Sequence, residues 1–212
     1  MGRLGQAASW LGSRLWSWTA HSLSLDTLEH EGLRLLLSLW HTTRDEEGVP
    51  WLARFDPKAM GKSVRNIALV DVSDGVAEAR YRLVGSSLTR LYGSDLTGKR
   101  IADCYSGTVL AEVQAAYAKV IAERWPLYST REFHLFGRSF GYRRLLLPLS
   151  RDGEAVTHVV LGLYPANADL VDASQWRPYE QDLATESFRN AQGYVPPANR
   201  PAKPLLRPGG PA

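Results

Sequence analysis

Residues 139–164 read SFGYRRLLLPLSRDGEAVTHVVLGLY. Two apolar runs, 139–150 and 155–164, flank Arg151-Asp152-Gly153-Glu154. An Asp-Gly pair between such runs is a tight-turn signal, so the two are read as paired antiparallel strands. The run before them, 126–136, opens on Pro126, which a strand tolerates at its first position. Three strand segments joined by short turns imply an antiparallel meander.

Working back toward the N-terminus, Thr108–Arg124 places Leu110, Val113, Ala116, Tyr117, Val120 and Ile121 at helical spacing. Ser86–Tyr92 is a short helix stopped by Gly93, and residues 95–101 form a turn and connector. Residues 66–72 and 78–85 are two further strand segments around Ser73-Asp74-Gly75, a hairpin. Strict alternation in the second of these puts Tyr81 and Leu83 on one face and Arg80 and Arg82 on the other. Asp56-Pro57 starts a short helix over 57–64.

The clearest helix spans 27–42, with Thr27 as its cap. Leu28, Leu33, Leu35, Leu36, Leu37, Leu39 and Trp40 cover more of it than one stripe, which predicts a helix sandwiched between a sheet and a second surface. The expected second surface is another copy of the chain, so Leu33, Leu36, Leu37 and Trp40 are the predicted contact of a homodimer. Strands segregate from helices along the chain. That predicts an α+β fold with a five-stranded antiparallel sheet, helices over one face, and a leading N-terminal helix.

The 212 residues, 44% apolar and 22% charged, suit one domain with extensions. The expected division is an N-terminal extension 1–26, a domain 27–165, a weakly structured segment 166–194 and a disordered Pro-rich tail 195–212. Residues 1–25 and 193–212 together hold five basic residues and no acid. The overall charge is +3, so the remainder carries −2. A nucleic-acid binder concentrates basic residues on its folded domain, so nucleic acid is not an expected partner. In 1–25, Leu4, Ala8, Leu11, Leu15 and Trp18 fall at helical spacing among Trp10, Trp16 and two arginines. That pattern suits either packing on the domain or peripheral contact with an anionic membrane. With no apolar run long enough to span a bilayer, the expected location is cytoplasmic, with membrane association through residues 1–25 as the variant.

Residues from about 33 to 164 resemble the stand-alone PAS domains of bacteria. The resemblance is carried by Leu39-Trp40, Trp51-Leu52-Ala53-Arg54-Phe55-Asp56-Pro57 and Ile67-Ala68-Leu69-Val70-Asp71-Val72. It continues through Tyr81-Arg82-Leu83-Val84-Gly85-Ser86, Tyr92-Gly93-Ser94-Asp95-Leu96-Thr97-Gly98-Lys99 and Leu145-Leu146-Leu147-Pro148-Leu149-Ser150-Arg151-Asp152-Gly153. It implies a sensory or protein-interaction module and names no ligand. A light-sensing flavin domain of this kind has its cysteine in an Asn-Cys-Arg-Phe run, whereas Cys104, the one cysteine, stands in Asp103-Cys104-Tyr105. A haem sensor takes its axial histidine from the long helix, and Thr108–Arg124 contains none.

No phosphate loop, metal-ligand spacing or nucleophile-base set occurs. No cofactor is indicated, no metal site is assigned and no catalytic residue is proposed. The expected role is a non-catalytic regulatory module that contacts a partner signalling protein and is gated by a small ligand. The competing readings are a dedicated metabolite or haem sensor and, more remotely, an enzyme on a cone-like α+β fold. The cavity expected between helices and sheet has Tyr81, Leu83, Leu91, Tyr92, Tyr117 and Val120 as candidate lining, the same residues that would otherwise fill a core. Arg143 and Arg144 are adjacent on a strand, so one faces the cavity as a reader of a carboxylate or phosphate. The other would pair with an acid such as Glu132.

Overall fold

The computed structural model describes residues 19–21, 23–44, 48–92, 94–135 and 138–165, and no side chains at 19–21, 108, 131–140 or 165. The expected helical face Leu4–Trp18 and the segments after 165 lie outside the described residues. The elements run β1 (Thr19–His21), α1 (Glu31–Thr43), β2 (Ile67–Asp71), β3 (Arg80–Val84), α2 (Ser86–Tyr92), α3 (Gly107–Glu123), β4 (Leu127–Leu135), β5 (Arg138–Ser150) and β6 (Val156–Pro165). The sheet order is β1-β4-β5-β6-β2-β3, antiparallel throughout. The five expected strands form its body. β1 is a sixth, three-residue edge strand on β4, inside the segment read as an extension.

Alternation along the central strands divides the core in two. On the front face, Tyr142 and Leu146 of β5 with Val159, Leu161 and Leu163 of β6 pack under α2, α3 and the Ile101–Tyr105 turn. On the back face, Leu145, Leu147 and Leu149 of β5 with Val160 and Tyr164 of β6 pack under α1. The leading helix therefore covers the face opposite the other helices.

α1 starts later than its sequence suggests. Thr27 closes a turn with Ser24, their side chains and backbones bonding reciprocally, so it is not free to cap the helix. His30 caps instead, its Nδ1 accepting from Gly32 N at 3.0 Å while its ring stacks on Tyr164 at 3.8 Å. Gly32 and Gly162 are what let helix and sheet approach. A Cβ on Gly32 would lie 2.3 Å from the Tyr164 hydroxyl oxygen, and one on Gly162 would lie 2.8 Å from Leu36 Cδ1. The Asp56-Pro57 start is as expected, Asp56 Oδ1 accepting from Lys58 N at 2.8 Å, and opens a 3-10 helix over Pro57–Asn66 that kinks at Gly61.

The predicted dimer contact needs correction. Leu33, Leu36, Leu37 and Trp40 are at most 1% exposed within one chain, because they face its own sheet. Trp40 Nε1 donates to Pro148 O at 2.7 Å, pinning the helix to β5. The second surface inferred from their abundance is thus the back of the sheet itself, and a second copy would have only the outer side of α1, where Leu35 is exposed.

Leu36→Ala is expected to lower the unfolding free energy by about 2–5 kcal/mol, the range for emptying a buried leucine site. Urea denaturation checks this; a loss under about 1 kcal/mol would mean that α1 is not docked as described.

Candidate functional site

The front face encloses a cavity of about 30 Å³ lined by Tyr81, Tyr92, Tyr105, Val109, Val113, Tyr117, Tyr142, Arg144, Leu161 and Leu163. A water needs about 10–15 Å³ measured this way, so there is space for roughly two water-sized groups. Each wall comes from a different element. β5 supplies Tyr142 and Arg144, two residues apart and so on one face; β6 supplies Leu161 and Leu163 by the same rule. α3 supplies Val109, Val113 and Tyr117, successive turns of one helical face. Tyr92 ends α2, and Tyr105 lies in the turn before α3.

Of the arginine pair, Arg144 faces the cavity. It is 5% exposed, and its Nε donates to Oγ of Ser129 at 3.0 Å, the residue directly opposite on β4. Arg143 points to the back face and pairs with Glu29, ahead of α1. The expected partner Glu132 opposes Gly141 in the β4–β5 register, two residues from Arg143.

Leu83 does not line the cavity. Tyr81 opposes Val70 and Leu83 opposes Leu69, so Arg82 is an extra residue between them, a β-bulge. The bulge resets the alternation. Tyr81 stays buried on the front face, and Leu83 turns to the back and is 41% exposed. Arg82 is recruited by Asp71, to whose Oδ2 it donates from Nη2 at 2.7 Å. Leu91 packs at the margin of the front core and Val120 lies wholly within it; neither lines the cavity. Tyr142, Leu161 and Leu163 were reachable by extending the alternation from an inward Arg144. Tyr105 sits in an aperiodic turn and gave no signal.

The polar wall is a set of phenols and one guanidinium. Tyr105 donates to the Tyr92 hydroxyl at 2.8 Å. Burial pushes the Tyr81, Tyr105, Tyr117 and Tyr142 phenols well up, so they are neutral donors at physiological pH. The Arg144 charge pulls Tyr117 partly back. The Tyr117 hydroxyl is buried and has no hydrogen-bond partner among the described residues. Among the described residues no Asp, Glu, His, Lys, Ser or Cys lines the cavity. Cys104 is buried nearby in the front core, where burial pushes its thiol up to about 11 and away from the nucleophilic thiolate. Among the described residues no His/Cys/Asp/Glu group could hold a metal ion, and no helix is long and apolar enough to cross a membrane.

A family profile for the PAS domain matches residues 28–164, well over half of the chain. The chain belongs to the PAS domain family. Homologues in this family are sensory and regulatory modules. Among solved structures, it is similar to the PAS domain of BvgS from Bordetella pertussis, at 16% identity over 55% of this chain and 85% of that one, with a TM-score of 0.38. An RNA-binding light-oxygen-voltage receptor gives 16% identity, 66% and 40% coverage and a TM-score of 0.38. A light-oxygen-voltage domain studied with a flavin analogue gives 16%, 58% and 93%, and 0.34. No curated protein matches the chain. Membership rests on the profile match.

In this PAS domain a second polar cluster lies at the strand ends, away from the cavity. His158 on β6 is buried opposite Asp71, with Nδ1 3.0 Å from Thr157 Oγ1 and Nε2 3.5 Å from an Arg151 nitrogen. Burial lowers the His158 pKa, against the pull of the Asp71 charge. Burial alone would raise Asp71, but bonds from Ser73 and Arg82 outweigh it and hold the carboxyl well below the usual range. The cluster is internally paired and is read as a structural clamp joining β2, β3 and β6.

Two outcomes follow from these groups. Tyr117→Phe removes a hydroxyl that bonds nothing, so stability should be unchanged or rise by about 1 kcal/mol. A loss of that size in thermal or urea unfolding would show a hidden partner. A histidine whose folded pKa is depressed gives stability that is present above its ordinary value, about 6.5, and is lost as pH falls below it. The urea midpoint should therefore drop between about pH 7 and pH 5, and His158→Asn should flatten that slope; an unchanged slope in the variant would show that His158 is not part of it.

Proposed function

We propose that this chain is a non-catalytic sensory PAS module in which occupancy of the front cavity controls contacts with another protein, a second copy included. The observation that carries this is the cavity wall. It combines a buried arginine and neutral phenols with aliphatic side chains, which can hold and orient a molecule. Among the described residues it has no carboxylate, histidine or thiol with which to transform one. At about 30 Å³ the cavity is an order of magnitude below what a haem or flavin occupies, which disfavours the cofactor-sensor alternatives.

A route to the surface is available. α3 lines the cavity with Val109, Val113 and Tyr117, and two residues past its end stands Trp125, 42% exposed. The Trp125 ring meets Trp40 and His41 of α1 edge-on at 5.4 and 5.9 Å, and Arg44 lies over it at 4.9 Å. Displacement of α3 by an occupant would be felt at the end of α1 on the other side of the sheet. The exposed aromatic patch around Trp125 is the proposed output surface. The protein is proposed to work in the cytoplasm, with residues 1–25 available for peripheral membrane contact.

Val113→Leu adds a methylene to the cavity and imitates partial occupancy. Hydrogen exchange of the full chain should change at residues 40–44 and 124–125 as well as around the cavity. Changes confined to the cavity wall would refute the coupling. Native mass spectrometry and an absorption spectrum of the freshly purified protein should show no haem or flavin, and a coloured cofactor would overturn the proposal.

A further inference from the structure

We propose that His30 is a proton-sensing site that, on taking up a proton, releases the first turn of α1 from the back of the sheet. This regulation goes beyond the cavity reading above and does not depend on it.

The start of α1 rests on an uncommon cap. Thr27, the usual kind of capping residue, is engaged with Ser24, and His30 takes the capping position in an extended conformation. A cap works by accepting. His30 Nδ1 accepts from Gly32 N at 3.0 Å, so the ring must be neutral with its proton on Nε2. Gly32 is buried, and Tyr164 lies so close that a Cβ would not fit. The His30 carbonyl accepts from Leu33 N and Arg34 N at 3.0 and 3.1 Å. One residue therefore holds three amides of the turn.

Protonation reverses this arrangement. Nδ1 becomes a donor and meets a second donor, the Gly32 N–H. A buried amide that loses its acceptor destabilises the turn that carries it. The new charge also stands at the positive end of the helix dipole. Within α1, Arg34 opposes that charge and Glu31 favours it. Arg34 is held nearby, its Nη1 donating to Leu28 O at 3.0 Å. Ahead of the helix, Glu29 is engaged by Arg143 of β5. The 3-10 helix packed against α1 carries Lys58, Lys62 and Arg65, all exposed. β6 presents the Tyr164 ring, 3.8 Å from the imidazole. An aromatic face attracts a cation, but a ring that stays there keeps the two donors together. Burial and then Arg34 lower the His30 pKa, with Glu31 opposing. The side chain is only half-buried, so solvent protons reach it.

A folded-state pKa below the ordinary value of about 6.5 leaves the cap intact above that value and removes it as pH falls below. The opposite end of α1 is pinned separately by Trp40 on Pro148 O. Acid therefore opens one end of the helix and uncovers Leu28, Leu33 and Tyr164, all buried when the turn is closed.

The test is amide hydrogen exchange of the full chain by NMR at about pH 7.5 and about pH 5.5, corrected for intrinsic rates, with β5 amides as the internal reference. Gly32 protection should fall about three- to thirty-fold at the lower pH, the range for losing a cap. His30→Asn keeps a capping acceptor that does not titrate, so its Gly32 protection should be the same at both pH values. His158→Asn should leave the Gly32 response in place. The wild-type imidazole should carry its proton on Nε2 and titrate below about 6.5 in long-range proton–nitrogen spectra, a reading that needs no variant. Gly32 protection that ignores pH overturns the proposal. So does a response that persists in His30→Asn or disappears in His158→Asn, or a proton found on Nδ1 at neutral pH.

Discussion

Strand β5 is covered on both faces, and the other elements are placed by how its side chains divide. Tyr142, Arg144 and Leu146 face forward; Arg143, Leu145, Leu147 and Leu149 face back. A strand with one wet face would need only one layer of helices. Two buried faces require two layers, and α1 supplies the second. Its docking depends on the tryptophan bond to Pro148 O and on Gly32 and Gly162, which keep the space between helix and sheet free of side chains. Shifting β5 by one residue would send Arg143 into the cavity and turn the leucines out of the back core, so its register is held by the whole hydrophobic pattern.

The front layer differs from the back in one physical respect. The back core is almost wholly apolar, while the front core has a guanidinium and several phenols around a small void. Burying such groups opposes folding unless partners are supplied. Ser129 supplies one for Arg144, and Tyr92 and Tyr105 supply each other. Tyr117 has none among the described residues.

The two layers are not isolated. α3 covers the cavity, and past its end Trp125 rests on Trp40 and His41. Arg124 takes the left-handed conformation that ends α3, and its side chain bonds carbonyls of Gly153 and Glu154 in the β5–β6 turn. The end of α3 is thus tied to the hairpin and to the back helix, which suits it to carry a change in the cavity to the opposite face.

Local pattern sufficed for the strands of the sheet's body, the three main helices and the α+β order, because periodicity of two or near 3.6 is written into consecutive residues. It also placed Tyr81, Tyr92 and Tyr117 on the side that encloses the cavity. What it could not decide depends on contacts between distant segments. The inward arginine is chosen by which helix layer meets which face of β5. The facing of Leu83 is reversed by a bulge that forms only when β3 pairs with β2. The apolar excess of α1 signalled a second buried face but not its owner, since Leu36 or Trp40 is equally satisfied by another subunit or by the back of its own sheet. Only the chain path, which brings residues 31–43 over β5 and β6, settles that in favour of the sheet.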